Sequence, residues 1–446
     1  MRVSDHARTI LLTLALGGLL VNLPDRPARA AEVEEVVTPL GIRAYLLREP
    51  AIPFVSLAFY FEGGAAQDPE GRDGLSNMAA GLLDEGAGPY DSKAFRSALE
   101  DNAIRLSFDA DRDGFSGELK TLNDTREFAF ELLRLALTEP RFDEEPVERI
   151  RGQILADLRR RETDPDYRAA RAWFARAFAG HPYARPTRGT PETVAAITRE
   201  DLRRFVAGRL ARGNLHIGVA GDITAEELIP LLDATFGALP AEPRLAPIPP
   251  VEPETRGVIV ERMEIPQSVV VFGHAGIPRD DPDYYAAYVA NYILGGGGFS
   301  SRLTEEIREK RGLVYSVYSY LYDARLSPLW LGSLATRNET VGEAIALVRA
   351  ELERMAKGEI GPKDVADAKT YLTGSFPLRL TSNDRIARTL VAMSYQGLGR
   401  DYLEKRNGYI EAVTLDDVRR VAKRLFARET LFSVVGDPEG LEARTE

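Results

Sequence analysis

Residues 295–320 read GGGGFSSRLTEEIREKRGLVYSVYSY. The run predicts a glycine-rich turn, a short helix carrying Arg308, a break at Gly312, and a β-branched and aromatic strand carrying Tyr315. A helical period thus gives way to a two-residue period within a few positions, and the same switch recurs along the chain. Upstream, Val36 to Leu47 reads as strand, Pro-Leu-Gly turn, strand, and Val55, Leu57, Phe59 and Phe61 alternate as in a strand with one buried face. Leu75, Met78, Ala79 and Leu82 fall at helical spacing, as do Val147, Ile150, Ile154, Leu155 and Leu158. Helices packed on one face of a sheet are the architecture this implies.

The pattern occurs twice. Ile52-Pro53, a strand and Asp68-Pro69 have counterparts in Ile265-Pro266, a strand and Asp281-Pro282, all displaced by 213 positions. Ile197-Thr198 through Asp201-Leu202-Arg203-Arg204 to Gly221-Asp222 is matched by Val413-Thr414 through Asp417-Val418-Arg419-Arg420 to Gly436-Asp437. Between the copies, residues 240–253 hold six prolines, which suits an extended linker. The fold class is therefore α+β: two homologous domains, each a mostly antiparallel sheet packed against helices, over 31–239 and 255–446, with a Pro-rich linker at 240–254. A chain of 446 residues is long enough for two cores.

The first thirty residues read as an export signal, with Arg2 and Arg8 at the start, an apolar run from Ile10 to Val21, and Ala28-Arg29-Ala30 at the cleavage point. Nothing after that signal is long and apolar enough to span a bilayer. A net charge of −11 with no long basic block argues against a nucleic-acid partner. The chain has no cysteine, which removes thiol catalysis and Cys-ligated zinc. The four glycines at 295–298 lack the Lys-Ser/Thr of a phosphate-binding loop, so they read as sites of tight turning or close approach by a substrate backbone. No G-x-S-x-G nucleophile elbow occurs.

His181-Pro182-Tyr183 with Gly189-Thr190, Asn214 through Gly221-Asp222, and above all Gly297-Gly298-Phe299-Ser300-Ser301-Arg302-Leu303 with Arg308 and Tyr315 resemble the pitrilysin/insulinase family of zinc peptidases, the inverzincins, across almost all of the mature chain. The resemblance implies a clam-like chamber enclosing extended peptides, of which this chain forms half. Catalytic members carry H-x-x-E-H on a first-domain helix, two imidazoles for Zn²⁺ and a glutamate for its water. Here Asn77 stands at the first His, Ala80 at the Glu and Gly81 at the second His, while the distal acidic ligand falls at or near Asp157. His181, His216 and His274 lie too far apart in sequence to replace the motif, and each reads as an ordinary loop or strand residue. No zinc is expected in this chain.

The family also uses an Arg and a Tyr seven residues apart in the second domain, matched by Arg308 and Tyr315 in REKRGLVY. A phenol can donate to the oxyanion formed at a peptide carbonyl, and a guanidinium can grip substrate carbonyls. By the same resemblance, Gly297, Gly298, Phe299 and Ser300 are candidate substrate-binding residues. Taken alone, Arg308 would pair with Glu305 or another surface acid and Tyr315 would be one strand aromatic among several. The resemblance implies a chain inactive by itself that serves as the non-catalytic subunit of a heterodimer. Its partner would be an H-x-x-E-H paralogue holding the zinc, the substrate a peptide or unfolded protein, and the compartment the periplasm. The alternatives are a peptide-binding or structural scaffold without enzymatic role and, more remotely, a hydrolase with an unrecognised site.

Overall fold

The computed structural model describes residues 32–441. The signal-peptide reading of residues 1–30 lies outside them.

Strands β1 (Val33–Val37), β2 (Arg43–Arg48), β3 (Phe54–Glu62), β4 (Arg105–Ala110), β5 (Gly114–Leu122) and β6 (Leu215–Gly221) form one sheet in the order β1-β2-β6-β3-β5-β4. Strands β7 (Val258–Arg262), β8 (Gln267–Ala275), β9 (Val314–Tyr322), β10 (Leu329–Arg337) and β11 (Leu431–Gly436) form the second in the order β7-β11-β8-β10-β9. Only β2 with β6 and β7 with β11 run parallel. Setting β1 aside, the two orders are the same, and β3 and β8 begin at Phe54 and Gln267, the displacement of the sequence repeat.

The helices of the first half are α1 (Leu75–Ala80), α2 (Ser92–Asp101), α3 (Arg126–Thr138), α4 (Glu144–Arg161), α5 (Pro165–Ala177), α6 (Pro191–Ala195), α7 (Arg199–Arg209) and α8 (Ala225–Phe236). Those of the second are α9 (Tyr284–Asn291), α10 (Val341–Ala356), α11 (Pro362–Gly374), α12 (Asn383–Tyr395), α13 (Tyr402–Glu411) and α14 (Leu415–Phe426). The repeat extends to how helices start. Thr198 caps α7 and Thr414 caps α14, each closing a reciprocal box with an aspartate, Asp201 or Asp417. Among the described residues no helix is long and apolar enough to cross a membrane.

Each sheet buries one face against helices of its own half. Leu57, Phe59 and Phe61 pack with Leu133, Leu202 and Phe236 in the first core, and Phe272, Trp330 and Val434 with Val348, Val421 and Leu425 in the second. The opposite faces are covered across the halves. Helix α12 lies on β6, β3 and β2, and α5 lies on β11 and β8. Thus β3 is buried on both sides, not one: Ala58 and Ala220 meet Ile386, Ala387 and Leu390 of α12. Gly218 makes this approach possible, since a Cβ there would come 2.3 Å from the Ala387 carbonyl oxygen. In return, Trp173 and Ala177 of α5 pack on Leu329, Leu331 and Leu431, and Trp173 Nε1 donates to the Leu431 carbonyl at 3.2 Å. The proline-rich segment runs between the halves without regular structure. It is held by Gln67, whose amide bonds both the N–H and the carbonyl of Ala246, and by the Val251 N–H on Leu326 O.

Candidate functional site

Helix α1, which carries Asn77 and Ala80, is only six residues long and is anchored from outside itself. The Asp68 carboxylate accepts from the backbone N–H groups of Gly74 (3.0 Å) and Ser76 (3.2 Å), from Ser76 Oγ (2.6 Å), and from Arg209 Nη1 (2.9 Å). Both side chains of this ion pair are buried. The counterpart pair in the second half, Asp281 with Arg424 at 2.7 Å, is more open to solvent.

No metal-ligating set forms on α1. The Asn77 side-chain oxygen accepts from Arg188 Nη1 at 3.4 Å, and the same Nη1 lies 3.9 Å from Asp157 Oδ2 on α4. A guanidinium therefore lies between Asn77 and Asp157, the positions that the resemblance assigns to the family's first and distal ligands. Asp157 is further gripped by Arg161 (2.7 Å) and Arg160, and the Arg161 hydrogen bond holds its carboxyl below the usual aspartate range. Ala80 offers no polar atom. At Gly81 the direction a side chain would take points at Ile150 Cγ2, 3.2 Å from an added Cβ. One amide oxygen and one carboxylate already held by arginines do not fit Zn²⁺, which needs several free, deprotonated ligands in one place. Among the described residues no group of three or more His, Asp or Glu is placed to hold a metal ion. Arg188 escaped the sequence reading; the available signal was its position directly before Gly189-Thr190, a motif whose neighbours fold back onto α1.

The histidines are dispersed. His181 Nε2 bonds to Pro249 O (3.0 Å), and His216 sits between Glu62 (3.1 Å) and Ser394 (3.0 Å). His274 is fully buried, stacked on Trp330 with ring centroids 4.8 Å apart. Its Nδ1–H donates to Ala275 O at 2.9 Å, and burial pushes its pKa down to about 4.

In the second half, the glycine-rich stretch is more helical than the sequence suggests. Helix α9 continues as a wide turn through Tyr292–Gly296, a short tight turn covers Gly298–Ser300, and Arg308 sits on a second wide turn, Thr304–Glu309. Buried Asn291 fixes this assembly to the sheet, since its Oδ1 accepts from Ser319 Oγ (2.8 Å) on β9 and Trp330 Nε1 (2.9 Å) on β10. Gly295 is needed for protein packing: a Cβ there would lie 2.4 Å from Ser319 Oγ. Gly312, at φ +63°, reverses the chain into β9.

This path brings Arg308, Phe299 and Tyr315 together. The Arg308 guanidinium carbon lies 4.5 Å from the Phe299 ring centroid and 5.3 Å from that of Tyr315. Its nearest carboxylate is Glu309, at 3.6 Å, whereas Glu305 pairs with Lys310 at 3.1 Å. Tyr315 is 84% exposed and Phe299 72%. Gly298 and Ser300 are exposed and Gly297 partly so beside Phe299, and Tyr318 and Tyr320 stack on the same edge strand, β9. The result is a projecting aromatic surface stacked on by one cation, in which the Tyr315 phenol makes no hydrogen bond among the described residues.

Two family models match the chain, Insulinase (Peptidase family M16) over residues 43–191 and Peptidase M16 inactive domain over residues 196–372, together more than half of it. The chain belongs to the peptidase M16 family. Among its M16 relatives, a Helicobacter pylori protein described as the non-peptidase homolog YmxG is 26% identical over 422 residues, covering 93% of this chain and 95% of its own length. A Streptomyces coelicolor protein described as an uncharacterized zinc protease is 27% identical over 419 residues, covering 91% and 89%. In three dimensions the chain is similar to a Pseudomonas fluorescens structure described as a peptidase M16 inactive domain, with TM-score 0.86 and 29% identity over 93% of this chain and all of that one. The M16 scaffold is thus retained here around a first-half site whose residues do not suit zinc.

Proposed function

We propose that this chain is the non-catalytic subunit of a two-chain zinc peptidase working outside the cytoplasm, in the periplasm if the leader directs export there. Its units, 31–239 and 255–446, would form half of a peptide-enclosing chamber. A paralogue with intact H-x-x-E-H would hold the zinc and form the other half. The observation that carries this reading is the contrast between the two halves: Arg188 lies between the would-be ligand positions Asn77 and Asp157, while Tyr315 is held at an exposed surface with the half-buried Arg308 stacked on its ring.

In such a complex the Tyr315 hydroxyl would donate to the oxyanion formed at the scissile carbonyl, and Arg308, oriented by the Phe299 and Tyr315 rings, would hold substrate carbonyls. The turns at Gly297, Gly298 and Ser300 border the same surface. The similarity to relatives described as a non-peptidase homolog and an inactive domain supports a chain that does not hydrolyse peptides alone. The test is to purify the chain with a secreted H-x-x-E-H paralogue and compare peptide turnover of each alone with the mixture. The reading expects activity well above either component in the mixture, and a rise in KM with Arg308→Ala. An Arg308→Ala complex with unchanged kinetics would favour a scaffold.

A further inference from the structure

Around α12 and α13 several guanidinium groups come together with few carboxylates to meet them. A cleft of about 440 Å³ opens there, with Arg385 and Arg388 of α12 on one side, Arg406 and Tyr402 of α13 on another, and Phe376 and Arg379 closing it. Arg388 alone of these reaches an acid, Glu118 of β5, at 2.9 Å. Among the described residues Arg379, Arg385 and Arg406 have no carboxylate within salt-bridge distance. Arg379 reaches only the Tyr288 hydroxyl (3.5 Å), and Arg385 only Leu378 O (3.4 Å) and Thr381 Oγ1 (3.5 Å).

Arg406 is the most telling of the three. It is 5% exposed, lies 4.1 Å over the Phe376 ring, and uses Nη1 alone, toward Leu372 O and Asn407 Oδ1. A guanidinium this buried is costly without a counter-charge, and aromatic faces compensate it only in part. Arg279, bonded to the Tyr402 hydroxyl at 3.2 Å, adds a further cation behind the cleft. In a protein of net charge −11, Arg379, Arg385 and Arg406 together present guanidinium forks suited to an anion supplied from outside.

The apolar components narrow the ligand. Phe376 and Tyr402 place flat hydrophobic surface beside the forks, and Leu378 on the neighbouring turn is 66% exposed. Just past the end of α12, Gln396 Nε2 in the cleft wall reaches Asp323 Oδ2 at 3.5 Å, one residue beyond β9, so the cleft adjoins the far end of the strand that carries Tyr315. We propose that this cleft binds a peptide carboxylate, either an acidic side chain or a C-terminus, in an extended segment with apolar neighbours. It rests on the reading of the chain as a peptide-handling subunit and names the class of peptide.

The test uses the full chain alone and a fluorescein-labelled peptide alternating leucine and glutamate. Its counterpart with glutamine for glutamate is measured too, each with a free or an amidated C-terminus. The wild-type chain should prefer carboxylate-bearing peptides by about tenfold or more, less so at high salt. The exposed pair Arg379→Gln and Arg385→Gln should lower that affinity by about tenfold without changing the melting temperature. Loss on the glutamine change assigns a side-chain carboxylate, and loss on amidation alone assigns the C-terminus; either upholds the site. Equal binding of all four peptides, an unaffected double variant, or displacement by inorganic phosphate at concentrations where acetate has no effect would overturn it. Tyr315→Phe should leave this binding intact, so failure of the shared-catalysis reading and failure of the cleft are seen separately.

Discussion

Arg188 links α1 to α4 at the positions that the resemblance assigns to zinc ligands. Its guanidinium lies between Asn77 and Asp157 and, with Arg160 and Arg161, balances the Asp157 carboxylate. Restoring the motif by Asn77→His, Ala80→Glu and Gly81→His should therefore give weak zinc binding, because Arg188 competes for Asp157 and Ile150 crowds position 81. Adding Arg188→Ala should tighten it. Metal analysis after dialysis checks this, and stoichiometric zinc in the Asn77→His single variant would contradict it. His274 supplies a second residue-level prediction. Its buried ring is neutral in the fold, with a pKa near 4 against an ordinary 6.5, so between those values the unfolded chain binds the extra proton. Its contribution is present above pH 6.5 and is lost as pH falls toward 4, by up to about 3 kcal/mol. Denaturant melts at pH 7 and pH 5 should show a smaller drop for His274→Phe than for the wild type.

At the scale of elements, α1 is too short to be stable alone and depends on Asp68 and Arg209 to hold its first turn. Arg209→Gln would leave a buried carboxylate without its charge partner and should cost about 3–5 kcal/mol, read as a lowered urea midpoint. The repeat of Asp68 at Asp281 was legible because aspartate-proline pairs keep one displacement. The partners Arg209 and Arg424 were not, because an arginine more than a hundred residues away carries no local period. Likewise, alternation in β3 revealed the face formed by Leu57, Phe59 and Phe61. Small residues such as Ala58 and Gly218 gave no sign that α12 would cover the other face. The glycines at 295–298 were legible as a place of close approach, but what approaches Gly295 is Ser319 of the adjacent strand.

Across the whole molecule, the exchange of α5 and α12 ties the two halves together, so the halves do not have independent surfaces. Gly218→Val, which would push α12 off the first sheet, should destabilise the chain by at least about 1–3 kcal/mol and should loosen both halves at once, seen as hydrogen exchange rising in β3 and in α12 together. The duplicated architecture and the absence of a histidine pair were readable from sequence, since both depend on spacing. The exposure of Tyr315 was not, because the pattern along β9 does not say which of its side chains the rest of the fold leaves uncovered.

The central claim is that this chain contributes chemistry, not merely shape, to a shared peptidase site. The most direct measurement is steady-state turnover of the mixed complex carrying Tyr315→Phe, with assembly and zinc content of the complex measured alongside. The substitution removes one hydroxyl and keeps the ring that Arg308 stacks on. The account predicts normal assembly, normal zinc, and a kcat lowered by roughly 10²–10³ with little change in KM. An assembled, zinc-replete Tyr315→Phe complex turning over at the wild-type rate would contradict it.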